Sequence, residues 1–526
     1  MKITSALGAL FGLASLASSA FAQPDALSVN PAALPKVGSV SPRYQSYNIE
    51  MLEVTGGKFW KPYAQVAQEA APSSAATPVG TNPDAYSYRP PIDLANARRR
   101  QLATALAPAY VRVSGTWANT TYFAPGDEAP ATAPAGYGGV LTRQQWKGVV
   151  EFSHAVDAEI VTSFSVGAGV RDAAGVWTSD QAASFLDYNQ SIGGKIAAAE
   201  FMNEPDLAVM GGAPRGYTAE NYARDYRIFA SFARAKAPAM LLLAPGSVIE
   251  STFNPKAPAS PLPLLHIVSQ FTDPALPVDV YDYHFYPAVS KRLAKMAPQM
   301  QVTPEGELTE AQLAKTDATL AFYKGERDRT HPGKPLWVTE TAEAAGGGNP
   351  WASTFLDSFR YHDQLGRLAK QGVQVVMHNT LDASDYGLLD EDTLLPRPNY
   401  WAALLWHDLM GTTVLDSGIP IQEGLHVYAH SLKGVPGGVA VLVINTSKTQ
   451  ARSITFPKKG SRYTLSATAK GLQDTAVLLN GTVLALGDHD ALPKLAASPQ
   501  AAGAVSFAPE TITFLTFKRA DNAATK

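Results

Sequence analysis

The sequence predicts an α/β chain built on a closed (β/α)₈ barrel and followed by an all-β sandwich. Three observations carry this. Eight short apolar runs recur between residues 46 and 379, each separated by a crossover-length segment. Helical amphipathic patterns fill the gaps, as at residues 144–157, 219–235 and 353–370. Beyond Gly411 the pattern changes to short alternating runs with turn residues between them. Eight runs with crossovers suit a closed barrel better than an open doubly wound sheet.

In chain order the runs are SYNIEML (46–52), AYVRVSG (109–115), EIVTSFSV (159–166), AAAEFMN (197–203), LLLAPGS (241–247), VYDYHFY (280–286), LWVTET (336–341) and VQVVMHN (373–379). Parallel strands covered on both faces read as continuous apolar runs of this kind. The longer connections, 53–108 with its Arg98-Arg99-Arg100 cluster, 124–139, and 288–334 with Lys291, Arg292 and Lys295, are expected to be loops that shape a cleft. LHVYAHSL, GVAVLVINTS, ARSITFP, RYTLSAT, TAVLLNG and VSFAPETITFLTF then predict the sandwich, with a buttressing role or, alternatively, a sugar-binding one. The expected organisation is a signal peptide at 1–22, an N-terminal segment at 23–44 able to add an edge strand to a distant domain, the barrel at 45–410, the sandwich at 411–519 and a tail at 520–526.

A chain of 526 residues exceeds one ordinary domain. Hydrophobic content of 46%, charge of 17% and 38 prolines describe a soluble globular protein with many structured loops. A net charge of −3 gives no whole-protein attraction to nucleic acid, so any polyanion must meet a local patch. Residues 1–22 hold one lysine, a short apolar centre and Ala20-Phe21-Ala22, the features of a secretory signal peptide, so an exported protein, periplasmic or secreted and without a membrane anchor, is expected. The absence of cysteine rules out disulfides and thiol catalysis and weakens a zinc site. No metal or cofactor is expected.

Two carboxylates draw attention. The fourth run ends in Asn203-Glu204-Pro205 and the seventh in Glu340, before a glycine triplet at 346–348. Reactive groups in such barrels project from the carboxyl ends of strands, so Glu204 and Glu340 are expected to converge. Pro205 lacks an amide hydrogen and is expected to hold Glu204 extended. Two carboxyl groups about 5–5.5 Å apart form a retaining glycosidase pair, and about 6.5–9.5 Å an inverting one. Crowded carboxylates do not both ionise cheaply, so one keeps a proton and serves as acid. Glu343 is the rival nucleophile in the same loop, and Glu200 is expected to be a buried hydrogen-bonding partner.

AEFMNEPD, WVTETAEAAGGG, HNTLDASDYGLLDEDTLLPRPNYWAALLWHDLMGTTVL and PAYVRVSGTW together resemble the heparanase and β-glucuronidase group, glycoside hydrolase family 79. The resemblance runs from about Tyr47 through the β-domain. Asn-Glu-Pro alone is a weak signal; the glutamate before a glycine triplet, with Asp385-Tyr386-Gly387 and Asn399-Tyr400-Trp401, is far more specific. The resemblance implies that Glu204 is the general acid/base and Glu340 the nucleophile, and that Asn203 binds the sugar 2-hydroxyl. It implies further that Gly346 and Gly347 amides with the Tyr386 hydroxyl hold a uronate carboxylate, and that Glu50 and His284 contact the sugar. Glycines let an anion approach the backbone closely, which makes the cradle physically sensible.

The chain departs from the mammalian heparanases at Ala345, where they carry an aromatic residue, and at 207–210, which lacks their lysine. Both changes weigh against sulfate recognition. The loop 124–139 is too short for their excised linker, so the chain resembles the bacterial single-chain members more. The expectation is a monomeric retaining hydrolase of glucuronate-containing oligo- or polysaccharides, acting endo, as the loop cations suggest, or exo, as the missing lysine suggests. A non-catalytic carbohydrate-binding barrel and a glycosidase for neutral sugars are the alternatives.

Overall fold

Parallel strands whose residues are covered on both faces close on themselves when every edge finds a partner. In the computed structural model, which describes residues 27–66, 82–252, 264–272 and 276–526, eight strands do this: β1 (Gln45–Glu50), β2 (Ala109–Ser114), β3 (Ala158–Ser163), β4 (Ile196–Glu200), β5 (Leu241–Ser247), β6 (Val280–Phe285), β7 (Leu336–Thr341) and β8 (Val375–His378). The ring closes where β8 meets β1, with Val376 opposite Gln45 and His378 opposite Tyr47. Val161, Ala198, Leu243, Val280, Trp337, Val375 and Met377, one from most strands, fill its interior. The expected signal peptide, residues 1–22, lies outside the described residues.

Helices pack outside the ring: α1 (Ala97–Thr104), α2 (Arg143–Ala155), α3 (Asp180–Ser191), α4 (Ala219–Lys236), α5 (Lys315–Thr330), α6 (Phe355–Lys370) and α7 (Pro398–Leu409). Their starts follow capping rules. The Thr142 and Gln145 side chains cap α2 reciprocally, Thr218 and Asn221 do the same for α4, and Pro398 occupies the first turn of α7. Among the described residues between β5 and β6 the helical structure is a 3₁₀ turn, Val268–Thr272.

The second unit is a nine-stranded sheet. Its main path runs from an N-terminal edge strand, Lys36–Ser39, through β9 (Met410–Leu415), β10 (His426–Leu432) and β11 (Val439–Asn445) to the C-terminal strand Thr511–Phe517, then Gly460–Ala467 and beyond. The edge strand pairs antiparallel with β9, Lys36 opposite Leu415. A two-stranded sheet, Arg452–Phe456 with Gly503–Phe507, packs on it through Ile454, Phe456, Val505 and Phe507 against Val441, Leu515 and Phe517. Helix α6 lies between barrel and sheet, which is why nearly all of it is buried. There Asp363 accepts from Tyr428 and sits 2.5 Å from His426 Nδ1, both on β10, and accepts from Arg367 within the helix.

Candidate active site

Strand β2 carries Arg112 into the barrel interior, where its guanidinium is almost wholly buried. A buried cation is stable only when its donors are answered. Nε and Nη2 donate to the two oxygens of Glu200 at 2.9 and 2.7 Å, Nη1 to Glu340 Oε2 at 2.8 Å, and Nη2 also to Asn203 Oδ1 at 2.7 Å. Glu200 ends β4 and Glu340 lies near the end of β7, so one arginine ties opposite stretches of the rim. Burial alone would raise the Glu200 carboxyl, but Arg112 and His284 outweigh it and hold it at about 2.

Glu340 also accepts from the Tyr286 hydroxyl, at 2.6 Å on Oε1. Glu204 lies across from it. His284, from β6, stands between them with Nδ1 3.2 Å from Glu204 Oε1 and 3.7 Å from Glu340 Oε2. Burial opposes a charge on His284, yet Glu340, Glu200 and Glu204 carry it up to about 10. Ligand atoms of Glu204, His284 and Glu340 all lie within 4.8 Å of one another. A metal ion there would sit against Arg112, already the counter-ion of Glu340 and 3.2 Å from His284, so the chemistry of the set favours the carboxylate pair over a cation site.

Glu204 is not held extended by Pro205. Strand β4 stops at Glu200, and Glu204 adopts a left-handed conformation, φ 47° and ψ 64°, just before a 3₁₀ turn at Pro205–Leu207. The turn is pinned from both sides. Asn119 exchanges two hydrogen bonds of 2.9 Å with the Asn203 backbone, and the amides of Val248 and Ile249 donate to the fully buried Asp206. Such over-determination keeps a non-glycine residue where it costs ~1–3 kcal/mol, and the result aims the Glu204 carboxyl at Glu340. Burial, aided by Glu340 and countered by His284, raises the Glu204 carboxyl above its ordinary value.

These groups face a cavity of about 130 Å³ whose lining includes Glu50, Asn203, Glu204, Glu340, Gly346 and Tyr386. His284 and Gly347 are not part of its lining. Asn203 Nδ2 donates to no protein acceptor among the described residues and is left to the cavity. Glu50 is buried; desolvation and the nearby Glu340 push its carboxyl up to about 8. Gly346 and Gly347 both have φ of +85°, and their amides donate to no protein group among the described residues. A side-chain carbon at Gly347 would lie 2.6 Å from Ser384 Oγ and 2.8 Å from Trp60 Cβ, so glycine is required there. Glu343 is elsewhere: fully buried, it accepts from the Asn349 amide and side chain at 2.8 Å and supports the glycine loop from behind. A larger cavity, about 560 Å³, opens at the amino-terminal end of the barrel between Trp406 and Lys433, far from any carboxylate pair.

Several groups were not foreseen. Asn379 after β8 shares its amide N–H groups among Glu50 Oε1, Tyr286 and Tyr386 at 3.0–3.1 Å. Arg292 donates to the carbonyls of Lys61, Gly346 and Gly348, pairs with Asp385 and stacks 3.8 Å over Tyr63. Arg112, the one charged residue in the apolar run AYVRVSG, was the available signal for the buried cation.

No family model matches the chain. It is 31% identical to heparanase-like protein 1 of Arabidopsis thaliana over 327 residues, 59% of this chain and 55% of that protein. It is 32% identical to baicalin-β-D-glucuronidase of Scutellaria baicalensis over 188 residues, 34% of this chain and 36% of the other, and 35% identical to mouse heparanase over 192 residues, 34% and 36%. The chain thus spans about half the length, or less, of the curated relatives it matches. Among solved structures, the α-L-arabinofuranosidase of Thermotoga maritima superposes with a TM-score of 0.61 at 14% identity, over 94% of this chain and 99% of that one, a likeness of fold alone.

Proposed function

We propose that this protein is a retaining glycoside hydrolase that releases β-linked glucuronic acid from glycans or glycosides by double displacement. The observation that carries the reading is the approach of the Glu204 and Glu340 carboxylates, with facing oxygens within 4.8 Å, on one cavity. Close approach of the two carboxyls supports a retaining pair over an inverting one, which stands wider apart to admit a water. Glu340, hydrogen-bonded by Arg112 and Tyr286, attacks the anomeric carbon while Glu204 gives its proton to the leaving oxygen. The glycosidic bond breaks as the ester to Glu340 forms. Water then gives a proton back to Glu204 and its oxygen to the anomeric carbon, freeing Glu340. Asn203 binds the 2-hydroxyl.

The glucuronate preference rests on the unsatisfied Gly346 and Gly347 amides beside the Tyr386 hydroxyl, an anion cradle without a lysine. The relatives named heparanase and baicalin-β-D-glucuronidase support the same choice. We take the barrel as residues 45–410 and the sandwich as 411–519, in an exported monomer of the bacterial single-chain kind. Among the described residues no helix is long and apolar enough to cross a membrane.

The test pairs two measurements. A fluorinated glucuronide that traps the covalent intermediate labels Glu340, and Glu340→Gln abolishes turnover with folding intact. Label on another residue, or substantial activity in Glu340→Gln, overturns the assignment, and equal hydrolysis of 4-nitrophenyl glucoside and glucuronide overturns the glucuronate preference.

A further inference from the structure

Strand β5 runs between β4 and β6 and has no side chain at Gly246. Across that gap Glu200 on β4 and Asp282 on β6 approach each other. A side-chain carbon at Gly246 would lie 3.7 Å from Asp282 Oδ2 and 4.0 Å from the Glu200 carboxyl carbon. Both acids are buried, Asp282 completely. Asp282 Oδ2 accepts from the Thr339 hydroxyl of β7 at 2.8 Å, whereas Oδ1 receives no donor from the protein among the described residues.

Two carboxyls this close do not both ionise in an interior without water. The nearby cation decides which one does. Glu200 gives both oxygens to Arg112, while no salt bridge reaches Asp282 among the described residues. Glu200 is therefore the carboxylate, and Asp282 keeps its proton and donates it in a hydrogen bond to Glu200. Burial and the Glu200 charge, countered by His284, push the Asp282 carboxyl up to about 8. Arg112, seated on Glu200, turns its Nη1 to Glu340 Oε2. Contacts thus run from Thr339 through Asp282, Glu200 and Arg112 to Glu340, and Asp282 itself lines no part of the cavity.

Resting on the proposed function, we propose that Asp282 is a positioning residue: as a neutral acid it donates to Glu200, holds that carboxylate against Arg112 and so fixes the cation that steadies the nucleophile Glu340. Loss of its proton places a second negative charge beside Glu200 and draws Arg112 away from Glu340. The titratable groups facing Asp282 are Glu200 from β4, Tyr281 and His284 from β6, and Tyr222 and Tyr226 from α4. Glu200 is held at about 2, His284 at about 10, and burial pushes the three tyrosines up. Asp282 is the member of this set whose midpoint falls between pH 6 and 9.

Kinetics on 4-nitrophenyl β-D-glucuronide test this with two variants. Asp282→Asn keeps a donor for Glu200 and an acceptor for Thr339 but cannot ionise, and is expected to stay within ~3-fold of wild-type kcat at pH 6. Its kcat/KM relative to wild type is expected to rise by ~10-fold between pH 6 and 9, because one pH unit above its midpoint an acid is about nine-tenths ionised. Groups that titrate in both proteins cancel in this ratio. Asp282→Leu is expected to lower kcat by ~10–100-fold with KM little changed. The pH ratio needs only Asp282→Asn, so it decides even where Asp282→Leu does not fold. A ratio that stays flat to pH 9, or an Asn variant as impaired as the Leu variant, overturns this inference and leaves the proposed function standing. Wild-type protein that hydrolyses no glucuronide overturns both.

Discussion

Replacing Arg112 with methionine removes a buried cation and strands four acceptor oxygens, two on Glu200 and one each on Glu340 and Asn203, that it contacts at 2.7–2.9 Å. Breaking a buried pair from one side costs ~3–5 kcal/mol, because the abandoned charge has neither water nor partner. With an unfolding entropy of about 2.1 cal/mol/K per residue, a barrel of roughly 350 residues loses about 1.4 °C per kcal/mol, so the midpoint should fall by ~4–7 °C. Activity should fall further than stability explains. Glu340 keeps only the Tyr286 hydroxyl, and losing one pre-organised donor typically costs ~10²–10³-fold in kcat. Differential scanning calorimetry and steady-state kinetics on 4-nitrophenyl β-D-glucuronide, run well below the mutant midpoint, separate the two effects. A variant melting within a degree of wild type and retaining its kcat would refute the view that Arg112 balances these carboxylates.

Gly347→Ala forces a side chain to within 2.6 Å of Ser384 Oγ at a φ of +85°, so a loss of ~1–3 kcal/mol and a raised KM for glucuronides are expected, checked by melting and kinetics. Stability should be greatest at mildly acidic pH. Burial raises Glu50, Asp282 and Glu250 to about 8 and Asp206 and Glu343 to about 7, so the stability each contributes is present below its unfolded value and is lost as pH climbs through those figures. Glu200 and Asp363, held at about 2 by Arg112 and His426 against burial, act in the opposite sense and lose their contribution as pH falls through that value. Unfolding midpoints measured from pH 2 to 9 should therefore peak near pH 4, the ordinary carboxyl value of the unfolded chain, and a midpoint that rises steadily to pH 9 contradicts this balance.

Much of the architecture was readable along the chain. A parallel strand covered on both faces leaves a continuous apolar run, and eight of them with crossovers allow few closures, so the (β/α)₈ ring followed. Glu204 and Glu340 were visible because strand ends are where polarity returns. The backbone at Glu204 was misjudged, since the rule for residues before proline is local, whereas the left-handed turn is held by Asn119 and by amides after β5.

The linear order of residues was thus enough for the ring of strands, its covering helices and two acids at its mouth, because each depends on periodicities a few residues long. It was silent on which cation ties Glu340 to Glu200, and on where the loop arginines point. Arg112 reaches Glu340 across 228 positions, and Asn379 reaches Glu50 across 329. Contacts at such separations exist only once β8 has closed on β1, and Arg292, which reads from sequence as a surface cation, finds its carbonyls and its aspartate only in the folded rim.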